Sequence, residues 1–161
     1  MNSTISPEFV DLYRRPVTGP ASFVSSQIKS LYDWWLEFHP MMPAMDAFDI
    51  VEHRSLAPNL FLYKILEPGK YQYRLNGEAV VSLTGASQSG RIFSLEDSDE
   101  EAQILADYLG EVISSRVPWT CGGSMAHLGK DWMRFESIDC PMAGKDGVVT
   151  HILGLMVKLD N

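Results

Sequence analysis

Residues 71–97, YQYRLNGEAVVSLTGASQSGRIFSLED, constrain the fold more than any other stretch, because they allow neither a long helix nor a long strand. Tyr71, Tyr73 and Leu75 alternate with Gln72, Arg74 and Asn76, the period of a strand with one apolar face. Asn76-Gly77 breaks that strand. Glu78 to Leu83 then has room for one short helix, since Gly85 supplies the left-handed conformation at which helices end. Gly90-Arg91 turns the chain again, and Ile92 to Leu95 places apolar residues at short helical spacing before the acidic run Glu96, Asp97, Asp99, Glu100 and Glu101. Single turns that follow a strand in this way build a cupped wall.

The flanking segments supply the elements that such a wall needs. Residues 1–24 mix Ser, Thr, Pro and Gly with a few apolar side chains and read as a flexible arm, with one turn of helix at Glu8 to Tyr13. A helix follows over 25–39, capped by Ser25 or Ser26, with Ile28, Leu31, Tyr32, Trp35 and Phe38 at helical spacing until Pro40 stops it. Trp34 lies off that stripe, since adjacent helical side chains point about 100° apart. Trp34 and Trp35 therefore present two surfaces, one suited to a dimer or partner contact, unless both lie under neighbouring loops.

Pro58-Asn59 introduces the apolar run Leu60 to Leu66, and Pro68-Gly69 turns it back into Tyr71 to Leu75 as a hairpin. Glu100 to Arg116 repeats apolar residues at helical spacing and ends before Pro118. Trp119 to Leu128, Trp132 to Cys140 and Val148 to Leu159 then read as three strands separated by Gly-containing turns.

Tyr73-Arg74-Leu75-x-Gly77, then Gly85, then Gly90-Arg91 before an apolar turn and an acidic residue, resembles a family of small bacterial proteins made of a single PAS-type sensory domain. Upstream, Trp34-Trp35, His39-Pro40-Met41-Met42-Pro43, Asp46, Asp49-Ile50 and the run Leu60 to Leu66 occur in the order of that family, so the resemblance spans roughly Ile28 to Leu159. It implies an α+β fold: a PAS-like five-stranded antiparallel sheet with a helical insert on one face and an N-terminal helical extension. The PAS-like domain then occupies residues 25–160, with its core at 60–160. Haem sensors of this kind generally draw their axial ligand from the helix corresponding to Glu100–Arg116, which has no histidine, and flavin-thiol photosensors carry a cysteine in the insert, where Ala86 to Leu95 has none. No cofactor is named by the sequence.

Charge and cysteine usage bound the partners. Acids outnumber bases 21 to 13, for a net charge of −8, which disfavours nucleic acid and anionic membrane surfaces. No stretch approaches the ~20 apolar residues of a membrane span, and the N-terminus lacks a secretory core, so the expected location is cytoplasmic. Cys121 and Cys140 stand far apart and fit two reduced, buried thiols.

Catalytic signatures are sparse: no nucleophile elbow, phosphate loop, dinucleotide fingerprint or His-Glu-x-x-His occurs. A ligand cavity between the short helices and the sheet is the stronger expectation. Its candidate lining residues are Tyr73, Met125, His127, Phe135 and His151, each of which could equally be core, while Trp34 and Trp35 mark a candidate interaction surface. Arg74 is expected to pair with an acid such as Glu136, and Arg91 to tie the insert to the acidic run or hold an anion.

The function expected is a stand-alone sensory or regulatory module in signal transduction, not an enzyme, binding a small ligand, a signalling partner or both, and pairing as a homodimer. Two alternatives remain: a ligand-free interaction module, and a small α+β enzyme using a histidine such as His39, His53, His127 or His151 as base.

Overall fold

The computed structural model describes residues 12–17, 19, 23–125 and 130–159, with residues 125 and 130–132 described by backbone alone. Its described elements are β1 (Tyr13–Pro16), α1 (Ser26–Leu36), β2 (Leu60–Glu67), β3 (Lys70–Asn76), α2 (Glu78–Thr84), β4 (Ile92–Ser94), α3 (Glu100–Ser115), β5 (Trp119–Met125), β6 (Lys130–Ala143) and β7 (Val149–Leu159). The strands form one antiparallel sheet in the order β1-β5-β6-β7-β2-β3-β4. The α+β architecture with a helical insert is as the sequence implies, but two further strands extend the expected five.

Both additions sit at sheet edges. Tyr13–Pro16, read from sequence as part of a flexible arm, pairs residue by residue with Gly122 to Trp119. The expected helical turn at Glu8 to Tyr13 lies mostly outside the described residues. Ile92–Ser94, expected as a helical turn, instead pairs with Gln72 to Lys70. Three residues fall short of one α-helical turn, whereas the open edge of β3 offers their backbone groups partners at once.

Local signals place the helices. Ser25 caps α1, accepting from the amides of Gln27 and Ile28 at 3.1 and 3.3 Å. Gly85, at φ 95°, ends α2 in the left-handed conformation. Asp99 caps α3 at one end, and Arg116 closes it at φ 59°.

The sheet divides two cores. On one face α1 buries Ile28, Leu31 and Trp35 against Ile138, Cys140, Met142, Leu153 and Leu155. On the other, concave face, α2, β4 and α3 cover Phe61, Tyr63, Tyr71 and Ile152 with Val80, Phe93, Ala106, Leu109 and Val112. A bulge shifts the β2–β3 register, so that Tyr63 pairs with Tyr73 but Leu62 with Leu75. The extra residue, Arg74, returns Leu75 to the α1 face, although alternation alone puts it beside Tyr73.

Gly154 of β7 leaves room for the side chain of its cross-strand neighbour, Phe61 of β2. The Phe61 ring lies so near that a Cβ built on Gly154 would be 2.2 Å from its Cε2 and Cζ.

Candidate functional site

Between the concave face and the α2–β4–α3 insert lies a half-open cavity of about 300 Å³. Its walls are aromatic because each neighbouring strand turns a large side chain inward: Phe61 and Tyr63 from β2, Tyr73 from β3, Phe93 from β4 and Phe135 from β6. Tyr63 and Tyr73 lie 4.6 Å apart by ring centroids, with Phe93 5.8 and 5.5 Å from them. The two phenol oxygens hydrogen bond at 3.2 Å. Burial is the main reason that both hydroxyls titrate above their ordinary value, so both stay protonated and neutral at physiological pH.

One end of the cavity is polar. Phe135, Ser137 and Asp139 alternate on β6 and so face inward together, beside Cys121 of β5. Asp139 is buried, and Tyr108 of α3 donates its hydroxyl to Asp139 Oδ2 at 2.5 Å. Burial raises the Asp139 carboxyl to about 6, against the opposing pull of the Tyr108 hydrogen bond and the Arg14 guanidinium. Burial likewise raises the Cys121 thiol to about 11, opposed by Arg14, which leaves it a weak nucleophile at neutral pH. Arg14 enters from β1 with its guanidinium carbon 4.8 Å from the centre of the Tyr108 ring. Arg14 Nε is buried and has no hydrogen-bond partner among the described residues.

At the margin, Arg91 reaches Asp99 Oδ2 at 3.1 Å and Gln88 Oε1 at 3.1 Å, all three lining the cavity. This ties the insert to the acidic run that opens α3. The pair is about half exposed, and its role is one of geometry.

The residues singled out from sequence separate into groups. Tyr73 and Phe135 line the cavity. Met125 ends β5 and is described by backbone alone, and His127 lies outside the described residues. His151 does share a face with Leu153 and Leu155, but that face turns toward α1 and away from the cavity; there it pairs with Lys64 and Met142 and contacts Thr150 Oγ1 at 2.9 Å. Burial, Lys64 and Arg74 together lower its titration, so it is neutral at pH 7.

Of the two readings of the aromatic helix edge, the structure has the tryptophans under neighbouring elements. Trp34 and Trp35 are both buried, at 9% and 6% exposure. Trp34 packs edge-on to Phe38, Phe48 and His53, and Trp35 Nε1 donates to the Pro141 carbonyl at 2.8 Å. Loops following α1 cover the side that helical geometry leaves open. Glu136 does not pair with Arg74 but faces α1, where its carboxylate accepts the Val24 and Ser25 amides at 2.9 and 2.7 Å.

Arg14, Tyr108 and Asp139 were not singled out from sequence. Asp139 carried a signal, an acid two alternations beyond Phe135 within an otherwise buried strand. Arg14 carried none, because its segment lacks strand periodicity. Among the described residues no three His, Cys, Asp or Glu side chains are grouped to hold a metal ion.

A family model described as PAS domain matches residues 24–157. Among solved structures, the chain is similar to an RNA-binding light-oxygen-voltage receptor, at 15% identity and a TM-score of 0.49, covering 91% of this chain and 38% of that one. It is similar to a light-oxygen-voltage domain at 11% identity and a TM-score of 0.47, covering 70% of this chain and 84% of that one. It is also similar to the Rhodobacter sphaeroides LOV protein at 17% identity and a TM-score of 0.42, covering 71% and 70%. No curated protein matches the sequence.

Proposed function

The chain belongs to the PAS domain family, a family of sensory signalling modules, and on that premise we propose that it senses a small molecule in the cavity beneath its insert and passes the result to a separate signalling protein. The observation that carries this reading is the cavity itself. A volume of about 300 Å³ with aromatic walls and a buried carboxylate at one end has the size and mixed lining of a ligand pocket. A filled interaction core would leave no cavity for the buried Asp139 carboxyl to line.

Its mechanism is a shift between two arrangements of the insert, because α2, β4 and α3 all contribute to the cavity wall. Their outer surfaces change with occupancy, and those surfaces are what a partner reads. We assign the chain to the cytoplasm. The net charge of −8 favours a protein partner over nucleic acid, and Cys121 and Cys140, buried on opposite faces of the sheet, fit a reducing compartment. No described helix is long and apolar enough to cross a membrane.

A ligand-free interaction module or homodimer is the second reading, favoured by exposed apolar side chains in the segment after α1, Met41 and Val51 each at 65%. An enzymatic reading is less favoured: the thiol and the three phenols that line the cavity are neutral, its buried carboxyl is held by Tyr108 and offset by Arg14, and His151 faces away.

Native mass spectrometry of freshly purified protein, before and after mild denaturation, tests the sensor reading. A compound released on denaturation supports it. Protein without added mass that also fails to bind any small aromatic probe sinks it and favours the interaction module.

A further inference from the structure

We propose that the cavity selects an uncharged aromatic molecule bearing a carbonyl oxygen, and that Arg14 of β1 donates the hydrogen bond which holds that oxygen. The inference rests on the small-molecule reading above and adds the chemical class.

Three observations converge on it. First, Arg14 lines the cavity while its Nε is buried and without a hydrogen-bond partner among the described residues. Buried donors in native proteins are rarely left so, and a small shift of the Arg14 side chain, which itself lines the cavity, would bring this one to an acceptor there. Second, charge at the polar end is already offset. Arg14 and Asp139 act on one another there, and the margin carries Arg91 against Asp99 and Glu101. A carboxylate ligand would meet Asp139, and a cation would meet Arg14. Third, the remaining wall is a set of flat rings, Phe61, Tyr63, Tyr73, Phe93 and Phe135, suited to stacking a planar ligand.

The position of Arg14 gives the assignment a further consequence. β1 lies outside residues 24–157, the span matched by the family model. The selecting donor therefore comes from a strand that this chain adds beside the matched domain, and ligand binding strengthens the docking of that strand on β5.

The test uses the full chain and three probes that share a ring and differ in head group: benzamide, benzoate and benzylamine. Binding is measured by calorimetry or ligand-observed NMR. Wild-type protein is expected to bind benzamide about tenfold or more tightly than either charged probe, and Arg14→Met to lose that preference, as expected for a hydrogen bond from a charged donor. Asp139→Asn removes the counter-charge without emptying the site, and is expected to move the preference toward benzoate even if Arg14→Met folds poorly. Equal binding of the probes to wild type, or an unchanged preference in Asp139→Asn or in folded Arg14→Met, overturns the proposal while leaving the small-molecule reading intact. Failure of every probe, together with native protein free of added mass, overturns both.

Discussion

Tyr108 on α3 donates its phenolic hydrogen to Asp139 on β6 at 2.5 Å, and both residues are buried. A helix of the insert and a central strand of the sheet are thereby joined at the floor of the cavity. Removing the hydroxyl in Tyr108→Phe takes away an interaction that holds the carboxyl down, so Asp139 is expected to titrate above about 6. Stability at pH 7 is expected to fall by about 1.5–3 kcal/mol, the range for hydrogen bonds to charged groups. Carboxyl-selective NMR and urea unfolding measure the two effects. A carboxyl that still titrates near its wild-type value would show that the bond does not govern it.

Asp139 should also set part of the pH dependence of stability. Its folded value, about 6, exceeds the ordinary 3.8, so the native state holds the proton more tightly than the unfolded chain does. That contribution is fully present below about 3.8 and is lost as pH rises through about 6. Asp139→Asn is therefore expected to leave stability at pH 3.5 nearly unchanged and to raise it at pH 8 by on the order of 2 kcal/mol. Denaturant midpoints across this range give the answer, and a variant less stable at pH 8 would contradict it.

Gly154 tests the close approach of the cavity wall. In Gly154→Ala the new methyl group meets the Phe61 ring at 2.2 Å. Backbone and ring must then move, at a cost of about 1–3 kcal/mol. For a domain of this size that lowers Tm by about 2–4 °C per kcal/mol. Adding Phe61→Leu should recover part of the loss, and a double variant no better than the single one would mean that the strain lies elsewhere.

Glu136 is fully buried and accepts two backbone amides just before α1. Glu136→Gln keeps the shape but presents an amide group where a second acceptor is needed. A loss of about 1–3 kcal/mol is expected from the unsatisfied donor. Hydrogen exchange at Val24 and Ser25 should accelerate while exchange in β7 follows only the global change. Unaltered protection at those two amides would rule out the carboxylate as their anchor.

Those elements that rest on local chemistry are legible in the sequence. Pro68-Gly69 marks the hairpin, Gly85 the end of α2, Ser25 the start of α1 and Pro118 the end of the long helix region, and each signal acts within a few residues of where it stands. What depends on distant partners is not legible. β1 and β4 are strands because β5 and β3 offer them open edges. Alternation assigns His151 to the face of Leu153 and Leu155 but cannot say which face is concave, because that is decided by the helices packed on either side. Leu75 changes face through a bulge that the strand pattern does not announce. Phe135 and Asp139 share a face by simple alternation, whereas Arg14 depends on where its strand docks.

The strand order has a consequence for how the molecule is made. β7 occupies the middle of the sheet, with β1, β5 and β6 to one side and β2, β3 and β4 to the other, yet of these seven strands it is the last to leave the ribosome. Leu60 must wait for Leu155, and until then the β2–β3–β4 half and the β5–β6 half each present an unpaired edge. During synthesis the nascent domain therefore passes through an interval in which its two half-sheets can add to other chains, and the final eleven-residue strand closes that interval by stitching them together.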